Sequence, residues 1–593
     1  MIPELMQPLD TDYIMKKKKR IKRNILESVK MNVSLRIALL GGSTTAEIKN
    51  VLELFLLDKG IKPEFYESEY NKWYEDIIFD NPDLDYFKPQ IVLIHTSFVN
   101  LIDLPTVTDD KVSVEALLEN TFAKYVSCWE KLYQKFGCTI IQNNFEQPFH
   151  RNLGNLDCTS INGITPYVNS LNAKFALYAY EHESFYVNDI NYLAALIGLE
   201  KWYDRNFYHL YKFAFSYEAI PHFCYNLASI IGAVIGKNKK CLVLDLDNTL
   251  WGGIIGDDGA NNIKIGHETA DAEGYYEFQK YILDLKARGI ILAVCSKNDE
   301  EVAKSGFFHP DSVLKVDDFA AFYANWEPKH LNIVKIAKEI NIGLDSLVFV
   351  DDNPVERAIV RTNLPDVTVP DVIGGEPSSY VRALEDGKYF ETVSISKDDL
   401  QRNQTYIENK KRNDEEKQFA SYGDFLASLN MQAEIKSFAP MYLDRITQLT
   451  NKTNQFNLTT KRYTRAEIDA IANSNEYITL YGRLADKFGD NGLVSVVIGR
   501  IIDGDLHIDL WLMSCRVLKR NLEYAMCQEL VKIAVSRGIT NIYGYYCKTA
   551  KNSMVKEMYA DFGFEQIDKN GEDTVWKLPV VKFLEKTLQM KVN

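Results

Sequence analysis

The chain has 593 residues, 46% of them hydrophobic, which is room for about three to five domains with cores of their own. A formal net charge of −14 argues against nucleic acid as a general partner. Nine cysteines lie singly with no C-x-x-C pair, which argues against a metal knuckle or a disulfide framework and fits reduced thiols in the cytoplasm.

In chain order, residues 1–33 read as a basic helical leader, with "KKKKRIKR" as its solvated face. No apolar core follows those lysines, so the start does not read as a signal peptide, and no run is long enough to span a membrane. Residues 34–235 open with the strand "LRIALL", then "GGSTT" and a helix. The stretches "PQIVLIHTS", "CTIIQNNF" and "ESFYVNDI" alternate with helical segments, which predicts an α/β domain on a parallel sheet. Residues 236–395 repeat the rhythm with "CLVLDLD", "GIILAVCSKND" and "SLVFVDDNP". A charged helical connector covers 396–429. Residues 430–593 read as an α+β domain: a hairpin turning at Asp503-Gly504, a helix over 521–537, the strand "NIYGYYC" and a helix up to Gly563.

The stretch "CLVLDLDNTLWGG" sets Asp245 and Asp247 at the end of an apolar strand. In a doubly wound sheet that edge binds ligands, and two acids there repel each other unless a cation lies between them. Ser296 follows the strand "GIILAVC", Lys329 stands near a helix start, and Asp351 and Asp352 end the strand "SLVFV". This ordered set resembles the haloacid dehalogenase (HAD) superfamily of phosphotransferases. The resemblance implies a Rossmann-like parallel sheet with Asp245 as the nucleophile toward phosphorus and Asp247 as general acid and base. Ser296 and Lys329 would hold the transferring oxygens, beside Thr249 and Asn298 as substrate contacts. Mg²⁺ would be bound by Asp245, the backbone carbonyl of Asp247, and Asp351 or Asp352. The stretches from Thr249 to Ser296 and from Ser296 to Lys329 are too short for a large cap, so the expected site is open.

Together with "VCSKND", "NWEPK" and "FVDDNPVER", the same stretch resembles the FkbH-like family, as do "TNQFNLTTKRYT", "DKFGDNGLVSVV" and "WLMSCRVLKR" further on. That resemblance implies a glyceryl transferase/phosphatase. Its substrate is 1,3-bisphosphoglycerate, which loses its phosphates. An enzyme cysteine takes the glyceryl group and passes it to the phosphopantetheine thiol of an acyl carrier protein, for polyketide and related biosynthesis. Two simpler readings stand beside it: a Mg²⁺-dependent HAD phosphatase with an inert C-terminal domain, and a non-catalytic module that docks carriers.

The C-terminal block resembles a GNAT acyltransferase, with Asn552 and Tyr559 in the late helix. The glycines of the pyrophosphate-gripping loop are replaced by Lys519 and Asn521, which makes close backbone approach to a pyrophosphate doubtful. Arg516, Lys519 and Arg520 are candidates to meet a carrier's phosphate or acidic surface. Cys515, beside the expected pantetheine channel, is the preferred acyl carrier, with Cys295 as the alternative; the other seven cysteines read as buried hydrophobes. The N-terminal block resembles the SGNH hydrolases at "IALLGGSTT", with Ser43 as nucleophile and Asn100 as a later block. The expected D-x-x-H is missing: Asp189 is present, but Tyr192 replaces the histidine, with His209 and His222 as substitutes, so a scaffold role is favoured over hydrolysis.

Overall fold

The leader forms α1 (Thr11–Ser28), capped by Asp10, whose side chain accepts from the Tyr13 amide at 2.9 Å. It is more than a solvated face. Ile14, Met15, Ile21 and Ile25 make a buried stripe. The helix lies along α2 (Ala46–Asp58), where Lys18 and Lys22 pair with Glu47 and Glu53. The computed structural model describes the chain apart from Met1, Asn32, Gly375, Gln401, Asn454 and Ala550, and apart from the side chains of Lys397, Asp398, Asn403, Gln404, Ile407, Lys410, Asn413, Asp414 and Cys515.

Five parallel strands follow: β1 (Val33–Gly41), β2 (Ile61–Glu67), β3 (Ile91–His95), β4 (Thr139–Asn143) and β5 (Phe185–Asn188). Their order, β2-β1-β3-β4-β5, is that of a doubly wound flavodoxin-like sheet. β3 and β4 are buried along their whole length, as strands covered on both faces must be.

The second sheet has four parallel strands, β6 (Cys241–Leu244), β7 (Ile291–Ser296), β8 (Ala321–Ala324) and β9 (Leu347–Val350), in the order β8-β7-β6-β9. The half-buried β8 is only four residues long and does not stand out in the sequence. Register pairs Leu244 with both Val294 and Val350, so the residues after β6, β7 and β9 emerge at one edge. α3 (Ala270–Ala287), α4 (Lys329–Glu339) and α5 (Pro354–Asn363) are its main helices. Among the described residues no separate cap domain interrupts this α/β unit.

The charged connector contains α6 (Arg402–Glu416). Its Arg412 grips the fully buried carboxylate of Asp486 with two hydrogen bonds of 2.8 and 2.7 Å. The third sheet is mixed: β10 (Met431–Lys436), β11 (Tyr477–Asp486), β12 (Gly489–Ile502), β13 (Asp505–Met513), β14 (Asn541–Tyr546), β15 (Glu565–Asn570), β16 (Asp573–Pro579) and β17 (Met590–Val592). α7 (Leu522–Ser536) follows β13. The expected hairpin turns at Asp503 and Gly504, with φ of 51° and 85°, the left-handed pair that a tight two-residue turn needs. The helix expected up to Gly563 is instead a short 3₁₀ turn (Ser553–Val555) and the short helix Met558–Asp561. The whole is an α/β multidomain protein: a doubly wound N-terminal sheet, a four-stranded parallel sheet without a large cap among the described residues, and a mixed eight-stranded α+β sheet.

Two compact units emerge, residues 1–234 with 464–467, and residues 235–463 with 468–593. The four-stranded and the mixed sheets share the second, where Lys551 pairs with Asp345. Among the described residues no helix is long and apolar enough to cross a membrane.

Candidate active site

Asp245 leaves the end of β6, its amide donating to Val350 O of β9 at 3.0 Å. The chain then makes a single tight turn: the Thr249 and Leu250 amides both reach Leu246 O, at 3.0 and 2.7 Å. Asn248 takes the left-handed conformation, φ 53°, which asparagine tolerates better than most residues. That turn sets the two acids in different surroundings. Asp245 faces the sheet edge, while the carboxylate of Asp247 accepts from Trp251 Nε1 (2.9 Å), Ile255 N (3.0 Å) and Asn298 Nδ2 (3.1 Å).

Lys329, the first residue of α4, is 3% exposed, and its Nζ lies 2.7 Å from Asp245 Oδ2 and 2.6 Å from Asp351 Oδ2. Burial works against its charge, but the two carboxylates more than offset it and raise its pKa. One ammonium does not neutralise the acids there. Ligand atoms of Asp245, Asp351 and Asp352 lie within 4.8 Å of one another. Burial, with Asp245 close by, pushes the Asp351 carboxyl up to about 7 and raises that of Asp352. Burial also raises Asp247. Asp245 Oδ1 is buried with no hydrogen-bond partner among the described residues. An unpartnered carboxylate oxygen amid excess negative charge, in an all-oxygen donor set, fits a hard divalent cation such as Mg²⁺. Because the Asp247 carboxylate is taken up elsewhere, its part in such a site falls to its backbone carbonyl.

The remaining expected residues divide. Ser296, 2% exposed, ends β7, and its carbonyl accepts the Asn325 amide from the loop that leads to Lys329. Thr249 does not face a substrate: it is fully buried, and its Oγ1 accepts the Asp352 amide at 3.2 Å. Asn298 likewise turns inward, to Asp247. The sequence reading missed Arg357, whose Nη1 donates to both Asp351 O and Asp352 O at 2.8 Å and fixes the acidic loop. It also missed Trp251, four residues after Asp247, a spacing that one tight turn brings together.

The thiols behave differently from one another. Cys295 lies inside the sheet, its Sγ 3.6 Å from Lys329 O, and burial raises its pKa far from the thiolate range. The side chain of Cys515 lies outside the described residues. Cys158 and Cys547 are exposed, contrary to the expectation of burial, because each sits where its element ends: Cys158 closes a 3₁₀ turn and Cys547 follows β14.

In the C-terminal sheet, Arg520 does not point outward to a carrier. It is buried, donating to Asp486 Oδ2 (3.1 Å), Asn409 Oδ1 (2.8 Å) and Arg516 O (2.8 Å), which ties the loop before α7 to the connector. Arg516 is half-buried, with Nε on Ser514 Oγ, while Lys519 is exposed. Lys519 and Asn521 keep left-handed φ values of 64° and 61°, so the loop holds a glycine-like backbone despite its residues.

β13 and β14 leave a gap between them. Among the described residues the two strands pair at Leu506–Ile542 and His507–Tyr543 before diverging. Residues 456–458 fill the gap: Leu458 N donates to Trp511 O (3.1 Å), Met513 N to Phe456 O (3.0 Å) and Cys547 N to Leu458 O (2.8 Å). Asn552, fully buried, pins this strap by donating to Asn457 O and Cys547 O, both at 2.9 Å. Tyr559 is buried, its hydroxyl unpartnered among the described residues.

At the N-terminal sheet edge, Ser43 is buried, and its Oγ has no partner among the described residues, so neither His209 nor His222 bonds it. Asn100 donates to Gly42 O at 2.7 Å. Asp189 caps a helix and accepts from Asn144, and Tyr192 is exposed.

A four-stranded parallel sheet whose edge gathers Asp245, Asp247, Ser296, Lys329, Asp351 and Asp352 defines an uncapped HAD phosphatase-type protein. Residues 36–232 match the family model described as the FkbH N-terminal domain. The N-terminal part of BF1531 from Bacteroides fragilis, which contains a phosphatase domain and was crystallised with Mg, is 33% identical, with a TM-score of 0.59; the match covers 64% of this chain and 99% of that one. The chain belongs to this FkbH-like family of HAD-type phosphatases. Two smaller likenesses each cover 25% of the chain: the ribosomal-protein-S18-alanine N-acetyltransferase of Escherichia coli (12% identity, 94% of that chain, TM-score 0.20) and the PaiA N-acetyltransferase of Thermoplasma acidophilum (16%, 98%, 0.18). No curated protein matches the chain.

Proposed function

We propose that this chain is a glyceryl transferase/phosphatase that removes the phosphates of 1,3-bisphosphoglycerate and loads the glyceryl unit onto the phosphopantetheine thiol of an acyl carrier protein. The observation that carries the phosphatase half is the buried Lys329 ammonium between Asp245 and Asp351, beside an Asp245 oxygen with no partner among the described residues. Asp245 attacks the phosphorus of the 3-phosphate and forms an aspartyl-phosphate. Asp247 gives a proton to the departing alkoxide, then takes one from the water that releases phosphate. Lys329 and Ser296 hold the transferring oxygens. Asp245, the Asp247 carbonyl and Asp351 or Asp352 would hold Mg²⁺, which when bound offsets the repulsion between carboxylate and phosphate.

In the acyl half, a thiolate displaces phosphate from the acyl phosphate, and the thioester exchanges with the carrier thiol. Cys515 remains the assigned carrier. The buried Cys295, with its raised thiol pKa, is the poorer nucleophile. The test is intact-mass analysis of a carrier protein incubated with the full chain, Mg²⁺ and 1,3-bisphosphoglycerate. A glyceryl adduct on the carrier supports the proposal; phosphate release without an adduct refutes the transfer half.

One observation favours a simpler reading. The strap fills the cleft that a pantetheine arm would use, as it would in a Mg²⁺-dependent phosphatase whose GNAT-like domain is not catalytic. Carrier loading separates the two.

A further inference from the structure

The two oxygens of Asp247 are not equivalent. Oδ1 accepts from both Trp251 Nε1 and Ile255 N, while among the described residues Oδ2 accepts from Asn298 Nδ2 alone. A carboxylate oxygen has two lone-pair sites, so Oδ1 is saturated and Oδ2 keeps one site open. The Asn298 amide cannot reverse its role, because its own Oδ1 accepts the Asp299 amide at 2.9 Å. Trp251 is equally fixed. It is fully buried against Phe307, ring centroids 5.3 Å apart, and a β-carbon on Gly306 would come within 2.8 Å of its ring, so that position leaves space only for glycine.

We infer that Trp251 and Asn298 are positioning residues for Asp247, and that they make Oδ2 the atom that carries the transferred proton. The inference rests on the phosphatase reading above. In the first step the Asp245–phosphorus bond forms, the bond to the leaving oxygen breaks, and the proton on Oδ2 moves to that oxygen. In the second, Oδ2 takes a proton from water as the water oxygen attacks phosphorus and the Asp245–phosphorus bond breaks. Without the indole and amide donors the carboxyl rotates, and either oxygen can carry the proton in the wrong direction.

Such a role has a signature that mere structural support lacks. A departing alkoxide needs the proton, whereas a departing nitrophenolate does not. Trp251→Phe keeps the ring and deletes the donor; Asn298→Leu keeps the size and deletes the amide. With the full chain and Mg²⁺, kcat/KM, which reports only the steps up to departure of the leaving group and not the shared hydrolysis of the aspartyl-phosphate, should fall about tenfold or more on phenyl phosphate and less than about threefold on p-nitrophenyl phosphate. An equal loss on both substrates, or no loss on either, overturns the inference. Should Trp251→Phe fail to fold, as judged by near-ultraviolet circular dichroism, Asn298→Leu decides alone. Asp245→Asn in parallel keeps the two claims apart: turnover surviving there removes the aspartyl-phosphate reading, whatever the leaving-group pattern.

Discussion

Replacing Lys329 by methionine preserves side-chain length and removes the one ammonium between Asp245 and Asp351. Three acids then share a space in which their ligand atoms lie within 4.8 Å of one another. Two like charges at about 4 Å repel by about 4 kcal/mol at an effective dielectric of about 20, and breaking a buried ion pair typically costs about 3–5 kcal/mol. Part of this is relieved by protonation of Asp351, which burial already pushes up to about 7. The loss should therefore deepen as pH rises from 6 to 8. In chelator, denaturant unfolding of the variant should reveal a loss of about 3–5 kcal/mol. Millimolar Mg²⁺ should restore much of it, because the ion replaces the missing charge, yet phosphate release should stay at least about a hundredfold down. Equal stability of variant and wild type in chelator, or equal stabilisation of both by Mg²⁺, would refute the charge argument.

Glu146, fully buried at the N-terminal sheet edge, has its carboxyl pushed by burial from an ordinary 4.5 up to about 7. Between those values the folded chain keeps a proton that the unfolded chain has released, so stability present in full below pH 4.5 is lost as pH rises through 7, by about 3 kcal/mol. Glu146→Gln should match wild type at pH 4 and exceed it by about that margin at pH 8, as measured by hydrogen exchange in β4 and β5. Asp486→Asn should weaken the grip of Arg412 and Arg520 together and cost about 3 kcal/mol, seen as faster proteolysis within the connector; an unchanged cleavage rate would mean that other contacts hold it. Asn552→Ala should raise amide exchange at Leu458 and Cys547 by about tenfold or more while β12 stays protected, and uniform loosening of the sheet would argue against a separately pinned strap.

Where chain order carried the information, the sequence was readable. The apolar runs ending in Asp245, Ser296 and Asp351 mark three strand ends of one sheet, because buried parallel strands leave an uninterrupted hydrophobic signature. The Asp503-Gly504 turn was readable for a local reason, since few other residue pairs accept two left-handed conformations. Contacts distant in sequence were not readable. Nothing local tells that Arg520 reaches Asp486, Thr249 holds the Asp352 amide, or Asn298 faces an acid; each is set by how separate strands converge. The same holds for the glycine positions at 519 and 521: residue type suggested a changed loop, but Lys519 and Asn521 keep left-handed φ values on either side of the buried Arg520.

The strap between β13 and β14 would also set a kinetic rule for any ligand proposed to enter there. Its three backbone hydrogen bonds complete strand edges that would otherwise lie unpaired, so an incoming ligand must be extended, rich in amides, and able to take over those bonds. The strap is also part of the chain, present at an effective concentration on the order of millimolar or above. A small thiol free in solution at micromolar levels is outnumbered by it. Under the proposed carrier-loading reading, an arm borne on a docked protein would itself be tethered and would meet the strap at comparable local concentration, so such a site would favour what arrives attached over what arrives by diffusion.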